Sequence, residues 1–164
     1  MGLKETILSK SIYLFHVSSG SCNNCDIEII DCLTPRFDLE RFGIVLVGSI
    51  KHADAMVCTG SANRLSVPLI KKLYEMMPKP GFVIVWGACG SSRGLFKDSY
   101  NTTAPLDEII PVDAYIPGCP PKPEAVIAAI VKLKEKIRCG ASLKLKPEAP
   151  SPGDFRRGTR KEAR

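Results

Sequence analysis

Five consecutive apolar residues, Phe82-Val83-Ile84-Val85-Trp86, stand between Gly81 and Gly87. No polar residue alternates with them, so a strand built from this run has no face to offer water and must be covered on both sides. A strand of that kind belongs in the middle of a parallel sheet with helices packed on each face. The other apolar runs fit the same plan. Ile12–Val17, Ile44–Val47, Ala55–Thr59 and Ala114–Ile116 read as further short strands, each bounded by Gly, Pro, Ser or Asp. Between them, helical patterns are expected over Asp26–Leu33, Ser61–Met77 and Pro123–Ile137. In the last of these Val126, Ile127, Ile130, Val131 and Leu133 gather largely on one face, and Lys132, Lys134 and Lys136 mark the other. The predicted fold class is α/β, a three-layer parallel sheet with helices on both faces. At 164 residues and 45% hydrophobic content the chain has enough material for one such domain.

In a parallel α/β sheet, ligands occupy the crevice beyond the carboxyl ends of the strands. Three predicted strands run directly into cysteines at that edge. Ser21-Cys22-Asn23-Asn24-Cys25 follows the first, Gly87-Ala88-Cys89-Gly90 follows the buried one, and Pro117-Gly118-Cys119-Pro120-Pro121 follows the last. Four thiols converging on one edge make an all-thiolate metal site, with an iron-sulfur cluster and zinc as candidates. A Cys-x-x-Cys turn brings two thiolates to one centre, and small or cyclic neighbours keep bulk away from it. Structural zinc ribbons usually use two such knuckles close together, whereas here the second pair is split between positions 89 and 119. A thiol redox pair at Cys22 and Cys25 is the remaining alternative. The other three cysteines have no partner at ligand spacing: Cys32 and Cys58 fall in predicted core elements as small buried hydrophobes, and Cys139 lies beyond the last helix.

The formal charge of +6 points at first to nucleic acid or a membrane surface. Its distribution argues otherwise. Residues 132–164 hold 11 of the 23 basic and 4 of the 17 acidic residues, so residues 1–131 are left with 12 basic against 13 acidic. The ligand-bearing body is near neutral, which removes nucleic acid as a partner. The basic excess belongs to the segment after Val131, which runs into a basic tail, residues 139–164, appended to a domain spanning 1–138. Nowhere do 18 apolar residues run together, so no transmembrane segment is expected. Met1–Lys10 lacks a secretory pattern. A cytoplasmic setting follows, where seven cysteines serve metal or redox chemistry before disulfides.

The strings CNNCDIEI, LTPRFDLERFGI, KHAD, WGACGSS and IIPVDAYIPGCPPKPEAV, in that order over roughly residues 12–137, resemble the small subunit of membrane-bound, energy-converting nickel-iron hydrogenases and formate hydrogenlyase. They also resemble the homologous 20 kDa, or B, subunit of NADH:quinone oxidoreductase (complex I). The resemblance implies a flavodoxin-like domain with one 4Fe-4S cluster on Cys22, Cys25, Cys89 and Cys119. Complex I subunits carry adjacent cysteines in the first motif, and the Cys22-Asn23-Asn24-Cys25 spacing is closer to the hydrogenase branch. The implied role is a non-catalytic electron relay between a ferredoxin-like 4Fe-4S subunit and a catalytic large subunit. The complex would be held by membrane-anchoring and ion-translocating subunits at the cytoplasmic face of the cell membrane, with this chain peripheral. Relatives that reduce sulfur compounds (sulfane) or quinone would use the same relay, and a zinc-stabilised scaffold is the distant alternative. Glu28 matches an acidic family position and is a candidate for a proton route, or simply a first-turn acid favoured by the helix dipole. His52 is expected to be structural, and Arg36, Arg41 and Arg93 are candidates for interface ion pairs. Trp86 is assigned to core packing.

Overall fold

The computed structural model describes residues 10–138. The basic tail and Cys139 therefore lie outside the described residues. Five strands, β1 (Ile12–Ser18), β2 (Ile44–Leu46), β3 (Ala55–Thr59), β4 (Phe82–Trp86) and β5 (Ala114–Ile116), form one sheet in the order β2-β1-β3-β4-β5. Every pairing is parallel. This is the doubly wound order of flavodoxin-like folds, in which the direction of winding reverses between β1 and β3.

Alternation along the strands sorts the side chains into two cores. Ala55 and Val57 of β3 and Phe82, Ile84 and Trp86 of β4 point to one face, where they meet Ile29 and Cys32 of helix α1 (Asn24–Cys32) and Val126, Ile130 and Leu133 of helix α4 (Pro123–Arg138). Met56, Cys58, Val83 and Val85 point to the other, against Val67 and Ile70 of helix α2 (Ser66–Met76) and the Leu106–Val112 segment. All five residues of β3 and all five of β4 are buried, so the apolar run of β4 sits where its composition requires. Removing a fully buried side chain of this kind from water stabilises the fold by about 1.5–3 kcal/mol.

Two expectations need correction. Helix α2 begins at Ser66, not at Ser61. The Asn63 side-chain oxygen accepts from the Leu65 and Ser66 amides at 2.9 and 2.8 Å, holding the preceding residues in a turn. Asn and Asp compete in this way for backbone donors at helix starts. The other correction is the segment around Cys89. It is a short helix, α3 (Ala88–Ser92), with Gly87 as its N-cap, where the sequence pattern shows only a loop.

Candidate metal centre

The loops and helix starts after β1, β4 and β5 all open at the carboxyl edge of the sheet, because parallel strands share one direction. Hydrogen bonds then tie these segments together. The Ser19 hydroxyl donates to the carbonyls of Thr59 and Gly60 at 2.6 and 3.1 Å, and the Ser66 hydroxyl donates to the Ser19 carbonyl at 2.6 Å. The segment carrying Cys22 is thereby fastened to the turn after β3. On the far side the Gly87 amide donates to the Ile116 carbonyl at 2.9 Å and the Ala88 amide to the Gly118 carbonyl at 2.8 Å, joining the Cys89 and Cys119 segments.

Glycine is demanded at Gly87. Its backbone, at φ 91° and ψ 164°, lies in a region essentially confined to glycine. A Cβ there would also stand 3.1 Å from the Cys25 sulfur. At Gly118, φ is +149° and a Cβ would fall 2.4 Å from the Pro121 Cα. The segments carrying these cysteines are thus shaped around positions where no side chain fits.

The structure brings Cys22, Cys25, Cys89 and Cys119 together at this edge. Cys22 and Cys119 are exposed, Cys89 is half-buried and Cys25 is buried. All six cysteines among the described residues are free thiols. Burial pushes the Cys25 thiol up to about 11, with further upward contributions from the charges of Cys22, Cys89, Cys119 and Asp26. The Cys89 thiol is raised too, by burial first, then by Cys119 and Cys22, and by a hydrogen bond with Cys119. Cys25 thus feels the other three thiols through space, although they come from segments far apart along the chain. Among the described residues, no three His, Cys, Asp or Glu side chains are gathered tightly enough to hold a single metal ion.

Cys32 and Cys58 stand apart from this edge. Both are completely buried, and burial pushes each thiol up to about 12. For Cys58 burial is the sole cause.

The other singled-out residues are distributed more widely. Glu28 is half-buried on α1 and acts electrostatically on Cys32, one turn on. The carboxylate that acts on Cys25 is Asp26. His52 is exposed in the 3-10 turn Ile50–His52, which leads into β3 and so lies toward the opposite, amino edge of the sheet. Arg93 takes a left-handed backbone (φ 66°) and donates from Nη1 to the Thr103 carbonyl at 3.3 Å. Arg36 and Arg41 cover the rings of Phe37 and Phe42 at 5.4 and 4.8 Å. Trp86 is buried as expected, and its indole N–H has no acceptor.

Sequence reasoning missed a polar group next to Cys25. The Thr59 hydroxyl donates to Asp26 Oδ1 at 2.6 Å. His16 Nε2 lies 3.0 Å from the same carboxylate oxygen and 2.9 Å from the Thr59 hydroxyl oxygen. These three residues come from β1, α1 and β3, meeting at the point where the sheet order reverses. No local signal marks them, because Thr59 is 33 residues from Asp26 and 43 from His16.

The family model described as NADH ubiquinone oxidoreductase, 20 Kd subunit, matches residues 22–133. The chain belongs to this family. Among relatives of this 20 kDa subunit family, the Pyrococcus furiosus protein named probable membrane-bound hydrogenase subunit mbhJ is 52% identical over 130 residues, which is 79% of this chain and 78% of the relative. Formate hydrogenlyase subunit 7 of Escherichia coli is 42% identical over 142 residues, 82% of this chain and 56% of that protein. Among solved structures, a chain of the membrane-bound sulfane sulfur reductase, described as an archaeal respiratory membrane complex, superposes with a TM-score of 0.76 at 38% identity. The match covers 85% of this chain and 77% of that one. No helix among the described residues is long and apolar enough to cross a membrane.

Proposed function

We propose that Cys22, Cys25, Cys89 and Cys119 hold one 4Fe-4S cluster. On this reading the chain relays electrons between a ferredoxin-like subunit and the catalytic large subunit of a membrane-bound, hydrogenase-like complex. The carrying observation is the arrangement of the thiols: four, from three strand-end segments, meet at one sheet edge, where Cys22, Cys89 and Cys119 all act on Cys25. A tetrahedral zinc site needs its ligands around one ion at about 2.3 Å. Structural zinc sites usually pair two Cys-x-x-Cys knuckles, whereas here the second pair is split between positions 89 and 119, a spread that suits a cluster taking one cysteine per iron.

Such a cluster supplies one-electron transfer, at a potential governed by thiolate ligation, hydrogen bonds to sulfur, burial and nearby charge. The chain's own residues do the rest. Gly87 leaves room beside Cys25, the buried position of Cys25 keeps water from one corner, and exposed Cys22 and Cys119 face outward toward a partner subunit. The chain makes and breaks no substrate bond. Relatives named as membrane-bound hydrogenase and formate hydrogenlyase subunits support a hydrogenase-type membrane complex as the setting, and within it we place proton reduction coupled to ion translocation at the cytoplasmic face. The match to the sulfane sulfur reductase supports a second reading, in which the same relay serves sulfur-compound reduction. We also read residues 1–138 as the cluster-binding domain and residues 139–164 as a basic tail that contacts another subunit or the membrane face.

Anaerobic purification with iron and sulfide analysis, followed by EPR after reduction, tests the cluster. The expected result is about four irons and four sulfides per chain, the stoichiometry of a 4Fe-4S centre held by four thiolates. One zinc and no iron would overturn the reading. The neighbouring large subunit separates the two settings: without the two cysteine pairs that bind nickel and iron, proton reduction is excluded and sulfur-compound or quinone reduction takes its place.

A further inference from the structure

Asp26 follows Cys25 directly, yet its side chain does not turn toward solvent at the helix start. Its Oδ1 atom is held from two other elements, by the Thr59 hydroxyl at 2.6 Å and by His16 Nε2 at 3.0 Å. The proton count assigns the donors. A threonine hydroxyl has one proton, and here it points to the carboxylate. His16 Nε2, within reach of that carboxylate and of a hydroxyl oxygen whose proton is committed, must itself be the N–H donor. Nε2 of the histidine thus carries a proton, and the carboxylate receives two donors on one oxygen.

The surroundings strengthen the arrangement. The side chains of His16 and Asp26 are only 26% and 20% exposed. The small cavity beside His16 is lined by apolar groups, among them Leu14, Ile29, Leu33, Val57 and Trp86. A carboxylate as shielded as that of Asp26 keeps more of its electrostatic reach than one in water. That reach extends to the neighbouring ligand position, since Asp26 is the residue directly after Cys25 and its carboxylate is held in place by Thr59 and His16.

We propose that His16 and Thr59 are positioning residues that hold the Asp26 carboxylate against Cys25 as a fixed negative charge, and that this charge lowers the reduction potential of the group the four cysteines bind. This rests on the cluster reading above. Adding an electron to an already anionic, thiolate-ligated centre is less favourable beside a fixed negative charge, so removing that charge favours reduction. Thr59 and His16 touch no ligand sulfur in this scheme and act through Asp26.

The test is an anaerobic EPR redox titration of the full chain, produced with its own neighbouring subunits, with iron and sulfide measured on each sample. Asp26→Asn keeps the shape and an accepting oxygen but removes the charge. It is expected to load the cluster and to favour reduction about tenfold, an upward shift of about 59 mV for one electron. Thr59→Val, nearly isosteric, releases the carboxylate toward solvent and gives a smaller upward shift, and Thr59→Ser returns the potential to the wild-type value. Should Asp26→Asn fail to load, the Thr59 pair carries the test alone. A loaded Asp26→Asn protein at the wild-type potential, or a loaded Thr59→Val protein without an upward shift, overturns this inference and leaves the cluster reading standing. A wild-type chain without iron and sulfide overturns both.

Discussion

Cys25 and Cys58 are both buried thiols in the same small domain, yet their environments differ in kind. Cys58 sits in the middle of β3, enclosed by Val67, Ile70, Val83 and the other side chains of its core, and burial alone raises its thiol to about 12. Cys25 lies where α1 leaves the sheet edge, and its rise to about 11 comes from burial together with three other cysteines and one carboxylate. One cysteine is isolated by its neighbours and the other is coupled to them. A buried thiol thus becomes a site only when the chain delivers further thiols to it, and parallel strands do this because their carboxyl ends share one edge.

Single substitutions should divide the molecule along this line. Cys25→Ala or Cys89→Ala is expected to abolish iron and sulfide retention, while Cys58→Ala and Cys32→Ala retain the full content and lose stability by about 1–3 kcal/mol. Metal analysis beside thermal unfolding checks both halves. Loss of the cluster in Cys58→Ala, with the fold intact, would break the contrast. A smaller effect is expected at Gly87, which serves the edge without being a ligand. Gly87→Ala forces a side chain into a backbone region essentially reserved for glycine and against the Cys25 sulfur, so it should cost about 1–3 kcal/mol and reduce cluster loading. Circular dichroism melts and iron content of the purified protein report the two effects.

The smallest effect concerns a carboxylate beside the strands. Asp113 accepts from the Val83 amide at 2.8 Å, which lowers its pKa, but burial is the larger cause and raises it above the ordinary 3.8. The sign follows from linkage. With the folded value raised, the stabilising contribution is present below the unfolded value near 3.8 and is lost as pH rises through the folded value. Asp113→Asn keeps the accepting oxygen and removes the charge. It should raise the melting temperature modestly at pH 7, and the gain should vanish below about pH 3.8, where both forms are neutral. A gain that persists at low pH would mean that the substitution acts through packing.

Much of this arrangement was legible in the residues themselves. The run Phe82–Trp86 required a strand buried on both faces, and the three cysteine-bearing segments after strands required ligand candidates at one edge. Boundaries set by side-chain hydrogen bonds were less legible. Asn63 delays the start of α2, and Gly87 opens a helix as short as Ala88–Ser92, too short for any periodic pattern to mark. Glu28 drew notice as a family position, while its neighbour Asp26 turned out to be the carboxylate that acts on Cys25.

What the sequence alone determined is the parallel α/β class, the family and the four cysteines proposed as ligands, because hydrophobic patterning and strand-end motifs are local properties of the chain. What only the tertiary structure decided is which groups surround those cysteines. The meeting of His16, Asp26 and Thr59 depends on β1 and β3 becoming neighbours in register, with His16 beside Val57 and Thr59 one pair beyond Val17–Cys58. Hydrogen bonds reach about 3 Å, so residues 43 positions apart along the chain acquire a shared carboxylate only once the sheet has placed them side by side.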